Sequence, residues 1–378
     1  MTDGNECWVG LLPADPRAWL LGCDEPFARW VTLRHLLDRP AADSEVASAR
    51  ADTLAHPAVR AMLDTLPDWE QPIRSHAAAT YGPNMLHLLA DLGLAEPGDD
   101  VPEAAALLDQ MLERRDSDGR FLAYSTFIRL PEPTWSTLAC DHYLITDAML
   151  RWGRGDDPRL RTALALMASD LTETSAGPAC RCLPHSITRG RGPGRVADPC
   201  PQVTLELLRT FARLPLRERP IGLPEVAQTL LAVWRARATS KPYMFGHGVH
   251  FKTVKWPAVW YSVLGVLDAL AGYPQVWSGP LADPADVRAT AEMVACLVAY
   301  NIGDQARVTP QSCYRGFAGL SFSQKREPSP IATAWVCAML RRFSAVADAA
   351  ATIDVMALEG SIGGTGRPAP PRHAVTAA

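Results

Sequence analysis

A punctuation that recurs about every sixty residues constrains this chain more than any other feature. Apolar helical stretches close in LLADLGL at 88–94, AMLRWGR at 148–154, LRTFARLPL at 208–216 and LDALAGY at 267–273. The markers Gly93, Gly153, Pro215 and Gly272 lie 60, 62 and 57 residues apart. A glycine just past a helix can adopt the left-handed conformation that closes it, and Pro215 stops its helix instead. A second helix opens after each marker, at DDVPE (99), DDPRL (156), LPEVA (223) and DPADV (283). Asp100 with Glu103 predicts a capping pair, and Pro158 falls where a first helical turn tolerates proline. A shorter unit precedes these at 30–40 and 43–54, and a last one begins at 328–343. Six hairpins, about twelve helices, fit the length.

The two helices of a pair differ in character. The first is apolar nearly all round, as in WSTLACDHYLITDAML and WYSVLGVLDAL, while its partner carries a polar face. That contrast predicts an all-α fold, an α/α toroid of the α6/α6 type in which an inner ring of helices is wrapped by an outer one. An open solenoid of helical pairs is the main competitor. The toroid is expected to span residues 1–343 as one domain, with an extra helix over 344–359. The tail 360–378, rich in glycine, proline and alanine, is expected to be disordered. Strand signals are sparse, and GFAGLSF at 316–322 reads as a short extended loop.

Composition narrows the function classes. A formal net charge of −4 argues against a nucleic-acid binder. No run of eighteen apolar residues suggests a membrane span, and the start MTDGNECWVG lacks the pattern of a secretory signal. The cysteines number nine, an odd count, and most sit singly in helical patterns, which reads as reduced thiols in a cytoplasmic protein.

Three long stretches without helical pattern, 172–201, 238–257 and 301–329, interrupt the repeat, and loops of that length are usually functional or disordered. In a toroid they would gather at the N-terminal ends of the inner helices, where unpaired N–H groups favour anions. They carry Arg181, Arg189, Arg191, Arg195, Lys252, Lys255, Arg315, Lys325 and Arg326. Either these form a phosphate or diphosphate site, with Arg191, Arg195 and Lys325 as the holders, or they are solvated loop surface.

The segment CRCLPHSITRGRGPGRVADPCPQ, 180–202, concentrates Cys180, Cys182, His185, Asp198 and Cys200. Thiolates and imidazole are preferred zinc ligands, and a Pro/Gly-rich loop could close a tetrahedral site from them. The spacing matches no standard finger, and incidental buried thiols are the bland alternative.

The hairpin count and repeat length over residues 30–343 resemble the terpenoid-cyclase and protein-prenyltransferase toroid superfamily, of which this would be a divergent single-domain member. More locally, RVADPCPQVTLELL is similar to a motif of prenyltransferase β subunits in which an Asp and a Cys at the start of an inner helix bind a catalytic zinc. The resemblance implies Asp198 and Cys200 as zinc ligands and Arg195 as a contact to a substrate diphosphate. Pro201 stands where the family has an aromatic residue, and the region around Trp260 and Tyr261 lacks the family's histidine. His142, 58 residues before Cys200, is the replacement expected. Cys180, Cys182 and His185 form a competing or additional ligand set. The DxDD motif of protonating cyclases is absent; residues 116–119 read DSDG, which a turn explains.

The N-terminal halves of the inner helices would line an apolar cavity with His76, Tyr81, Trp135, Cys140, Asp141, His142, Trp256, Trp260 and Tyr261. His142, Asp141 and Tyr261 are the candidates for catalysis, and His76, Trp135, Trp256 and Trp260 for substrate contact. For any single tryptophan, an ordinary core position is the alternative. His247 and His250 in GHGVHFK would offer a further anion or ligand set, or else surface histidines. The expectation is therefore an enzyme on an isoprenoid or other hydrophobic small molecule, with zinc at the inner-helix rim. The alternative is a non-catalytic toroid whose structural zinc supports binding or a protein partner.

Overall fold

The computed structural model describes residues 6–96, 101–126, 131–185, 187–192, 194–240 and 249–360. Helix accounts for 54% and strand for 7%, so the fold is all-α. The tail from residue 361, His247 and the Asp100 half of the expected capping pair lie outside the described residues. The chain divides into two compact units, residues 54–226 and residues 1–53 with 227–378.

In chain order, α1 (Arg17–Leu21), α2 (Pro26–Val31) and α3 (Ser44–Ala55) are followed by α4 (Pro57–Asp64), α5 (Gly82–Asp91) and α6 (Pro102–Glu113). The hairpin of β1 (Ala123–Ser125) and β2 (Thr134–Ser136) leads into α7 (Ala139–Arg151) and α8 (Pro158–Ser169). A second hairpin, β3 (Leu171–Thr174) with β4 (Gly177–Cys180), precedes α9 (Pro201–Ala212). Then come α10 (Leu223–Arg235), α11 (Arg237–Ser240), α12 (Val249–Lys252), β5 (Lys255–Trp256), α13 (Val263–Ala271), α14 (Pro274–Trp277) and α15 (Pro284–Asn301). The series ends with β6 (Ser312–Cys313), α16 (Pro330–Arg342), α17 (Ala347–Ala351) and α18 (Val355–Gly360). Among the described residues, eighteen helices replace the dozen expected because several are single turns.

Within the unit 54–226 the two kinds of helix are distinct. Residues 82–90 of α5 are all buried, and α7 and α9 are buried almost throughout. In α6 only Ala104, Leu107, Leu108, Met111 and Leu112 are buried, a single stripe at helical spacing, and in α8 only Leu160, Ala163 and Met167. Helix α7 packs between α5 and α9, with α8 also against it. Each apolar helix thus has apolar helices as neighbours, which is why it carries no polar face.

The turns follow the sequence in most places. Gly93 (φ 95°) and Gly153 (φ 77°) take the left-handed conformation after α5 and α7. Gly272 does not: its φ is −75°, because Pro274 starts another helical turn at once and no chain reversal is needed. Residues 116–119 form the expected turn, with Asp116 Oδ1 accepting from the N–H groups of 118, 119 and 120. Residues 316–322 are not extended; turns run into a 3-10 helix at Ser321–Ser323.

In the unit formed by residues 1–53 and 227–378, Glu25 accepts from the N–H groups of Ser321 and Ile331 and so anchors the start of α16. Trp256 is buried, stacked on Trp335 at 5.8 Å between ring centroids. Lys252 is fully buried with its ammonium 5.4 Å from the Tyr300 ring centroid, so it does not belong to a solvated anion loop. No described helix is long and apolar enough to cross a membrane.

Candidate metal centre

The centre is assembled at the start of α7. Leu138, extended at φ −115° and ψ 152°, precedes the helix, whose first turn carries Cys140 and Asp141. The chain before α5 supplies His76. Ile73 bridges to Ser125 of β1, which places residues 73–76 beside the hairpin that runs into α7. Asn84, in the first turn of α5, clamps this segment by donating to the carbonyls of His76 and Ala78. His76 Nε2 consequently lies 3.6 Å from Cys140 Sγ, although 64 positions separate the two residues. The other ring nitrogen, Nδ1, lies 3.8 Å from Asp141 Oδ1. His76, Cys140 and Asp141 thus offer three donor atoms within 4.8 Å of one another, a group that could hold a metal ion.

The electrostatics of the group follow from burial. Asp141 is 1% exposed and its pKa is pushed up to about 7 by burial, partly offset by the Tyr81 hydroxyl, which donates to Oδ1 at 3.2 Å. Tyr81 itself stacks on Trp69. Burial holds the His76 imidazole down at about 4, so it is neutral at pH 7 and can serve as a ligand. Burial, with the Asp141 charge added to it, pushes the Cys140 thiol well up. Buried donors that resist carrying protonic or anionic charge in this way gain from a bound cation, which stabilises the deprotonated forms.

Two more thiols interact electrostatically with Cys140. Cys200 is the N-cap residue of α9 and Cys182 lies on the loop after β4. The Cys182 thiol is drawn below the usual thiol range by the Cys200 thiol and by the Gly192 N–H, which donates to its sulfur at 3.2 Å. Cys200 is pushed up by the Cys182 thiol and by burial. The charge of Cys140 acts on Cys200 and that of Cys182 on Cys140, so the three sulfurs share one neighbourhood.

The remaining residues singled out from the sequence are placed elsewhere. Asp198 is engaged by Arg195 Nε at 2.9 Å and by the Ser175 hydroxyl at 2.9 Å, so Arg195 meets a carboxylate rather than an open anion site. Cys180 is buried at 3.6 Å from the Tyr143 hydroxyl, and burial pushes its thiol up to about 12. His185 accepts from the N–H groups of Ile187 and Thr188 within its own turn. His142 has a different task from the metal or base role expected of it. Its Nδ1 accepts the Phe121 N–H at 3.1 Å and its Nε2 stands 3.3 Å from the Ala163 carbonyl, so both nitrogens join backbone groups. Buried without a charged partner at either nitrogen, it is held down at about 4.

Trp135 sits half-buried on β2 beside Tyr124, with the Arg114 guanidinium 4.7 Å over its ring. Tyr261 packs against Trp260 in the other unit, where Lys325 and His250 are exposed. The charge of Arg191 acts on Cys182.

The sequence reading placed His76 and Cys140 in a cavity wall and did not pair them as ligands. A signal existed: Cys140 precedes Cys200 by one repeat, and His76 precedes Cys140 by about one more. Comparison of the chain with family models, curated proteins and solved structures returns no match.

Proposed function

We propose that this protein is a zinc-dependent enzyme built as an α/α toroid and acting on a hydrophobic small molecule, with the metal at the group His76, Cys140 and Asp141. The convergence of those three donors at the start of an apolar helix is the observation that carries the reading. Mixed nitrogen and sulfur donors favour zinc over the hard cations, which prefer oxygen. A zinc ion there would polarise a substrate group or activate a thiol or water. The Tyr124–Trp135 pair on the adjoining hairpin offers apolar, aromatic surface for such a substrate. Arg191, whose charge acts on Cys182, would be a holder for an anionic substrate group such as a diphosphate.

The test is turnover under metal control. Zinc-loaded protein is incubated with prenyl diphosphates and hydrophobic thiols, and consumption is followed by mass spectrometry. The expected result is consumption that stops on chelation, returns with zinc and is missing in His76→Ala. A second reading, a non-catalytic toroid stapled by zinc, is favoured by two further thiols, Cys182 and Cys200, that interact electrostatically with Cys140. One equivalent of bound zinc, a fall in Tm on chelation and no turnover would select it.

A further inference from the structure

His76, Cys140 and Asp141 also stand in the order that covalent catalysis uses: a nucleophile, a base, and a group that orients the base. Cys140 Sγ and His76 Nε2 are in hydrogen-bond contact at 3.6 Å. The opposite ring nitrogen, Nδ1, faces Asp141 Oδ1 at 3.8 Å. That is longer than a hydrogen bond, as catalytic contacts often are before substrate draws them together. Two of the three residues are held from outside the group. Asn84 donates to the His76 carbonyl at 2.9 Å, and the Tyr81 hydroxyl donates to Asp141 Oδ1 at 3.2 Å. Cys140 and His76 are half-buried, so a substrate can reach the thiol, whereas Asp141 is buried. Cys140 lies in the first turn of α7, a helix of 13 residues. The N–H groups of a first turn have no partner within the helix, and donors of that kind stabilise the oxyanion of a tetrahedral intermediate.

We propose that the metal-free chain takes acyl groups from esters or thioesters of hydrophobic acids, with Cys140 as nucleophile, His76 as base and Asp141 positioning the ring. The Tyr124–Trp135 pair, on the hairpin that runs into α7, supplies apolar surface for the acyl chain. The Cys140 sulfur attacks the carbonyl carbon while its proton passes to His76 Nε2. The C–O or C–S bond of the substrate then breaks, and the Nε2 proton leaves with the departing alcohol or thiol. Water attacks the acyl-cysteine, gives a proton to Nε2 and releases the acid, and the sulfur takes that proton back. Burial keeps the resting pair as neutral thiol and imidazole, so proton transfer accompanies the attack. No ion is needed in any of these steps. Zinc would take the same Nε2 lone pair and the same sulfur, so this activity goes beyond the metal reading and belongs to the chain without zinc.

The test uses the full chain, reduced and metal-depleted, with p-nitrophenyl octanoate as the acyl donor. A burst of p-nitrophenolate approaching one equivalent per chain is expected, followed by slower turnover. Acid quench and peptide mapping should place the octanoyl group on Cys140. His76→Ala should slow acylation about 100- to 10,000-fold. Asp141→Asn should lower kcat with KM unchanged, a split that a merely structural loss would not produce. An octanoyl group found only on other residues, or a burst at full rate in His76→Ala, overturns the triad. The mapping is made on the wild type, so it decides even where a variant does not fold. Added zinc should block the burst. A burst that zinc leaves untouched overturns the metal reading and keeps the triad, whereas zinc uptake by a chain that is never acylated does the reverse.

Discussion

Helix α7 buries two carboxylates under opposite regimes. Asp147, in the second half of the helix, is fully buried, yet Arg213 Nε donates to it at 2.6 Å and His87 Nδ1 lies 3.6 Å away. Burial pushes its carboxyl up, but the Arg213, His87 and Arg209 charges outweigh that and hold it well below the usual range. Asp141, in the first turn, is equally buried and, among the described residues, has no Lys or Arg ion pair. Its partners are a tyrosine hydroxyl and an imidazole, and its carboxyl moves up. The difference separates structure from function. A buried carboxylate neutralised by arginine is finished, whereas one left with neutral partners next to a thiol and a histidine belongs to a group that could hold a cation.

The comparison can be broken at several points. Replacing Asp147 by Ala leaves the Arg213 charge without its partner and is expected to cost about 3–5 kcal/mol in urea unfolding. A loss below about 1 kcal/mol would mean that the pair is not the finished contact described.

The neighbour His87 supplies a pH signature. It is buried among Asp147, Arg151, Arg209 and Arg213, and burial holds it down at about 4, against about 6.5 for an unfolded chain. Its folded-state pKa is depressed, so its contribution is complete above pH 6.5 and is lost as pH falls through 6.5 towards 4. The decline in stability over that window is expected to be up to about 3 kcal/mol, and to flatten in His87→Gln. An unchanged slope in that variant would remove the histidine from the account.

His142→Ala should cost about 2–3 kcal/mol by leaving the buried Phe121 N–H unmet, while metal uptake stays at one equivalent. Loss of metal without loss of stability would restore His142 as a ligand. The smallest effect is expected at Asp141. Without metal, Asp141→Asn should change stability by about 1 kcal/mol or less, because the amide can still accept from Tyr81. A cost as large as that at Asp147 would erase the distinction between the two ends of the helix.

How far the sequence reached depends on the kind of signal. The helix pairs were legible because Leu107, Leu108, Met111 and Leu112 repeat at helical spacing while α5 and α7 are apolar throughout. The left-handed turns at Gly93 and Gly153 were legible for the same local reason. Cys182 and Cys200 were recognised as candidate ligands from their clustering in one loop. His76 was not, because nothing local distinguishes it; only the Ile73–Ser125 bridge and the clamp from Asn84 bring it to Cys140. His142 misled for the converse reason. A polar residue opening an apolar helix suggests a ligand, but the backbone groups of Phe121 and Ala163 answer its ring.

The spacing of the donors has a last consequence, in the unfolded chain. Residues 76 and 140 sit at or before the starts of two apolar helices of successive repeats, α5 and α7. An ion shared by them would close a loop about one repeat long and remove the entropy that loop has when its ends are loose. Its effect would resemble that of a reversible cross-link between repeats rather than a clamp within one. Chelation should then loosen the register of one repeat against the next before it unwinds any single helix.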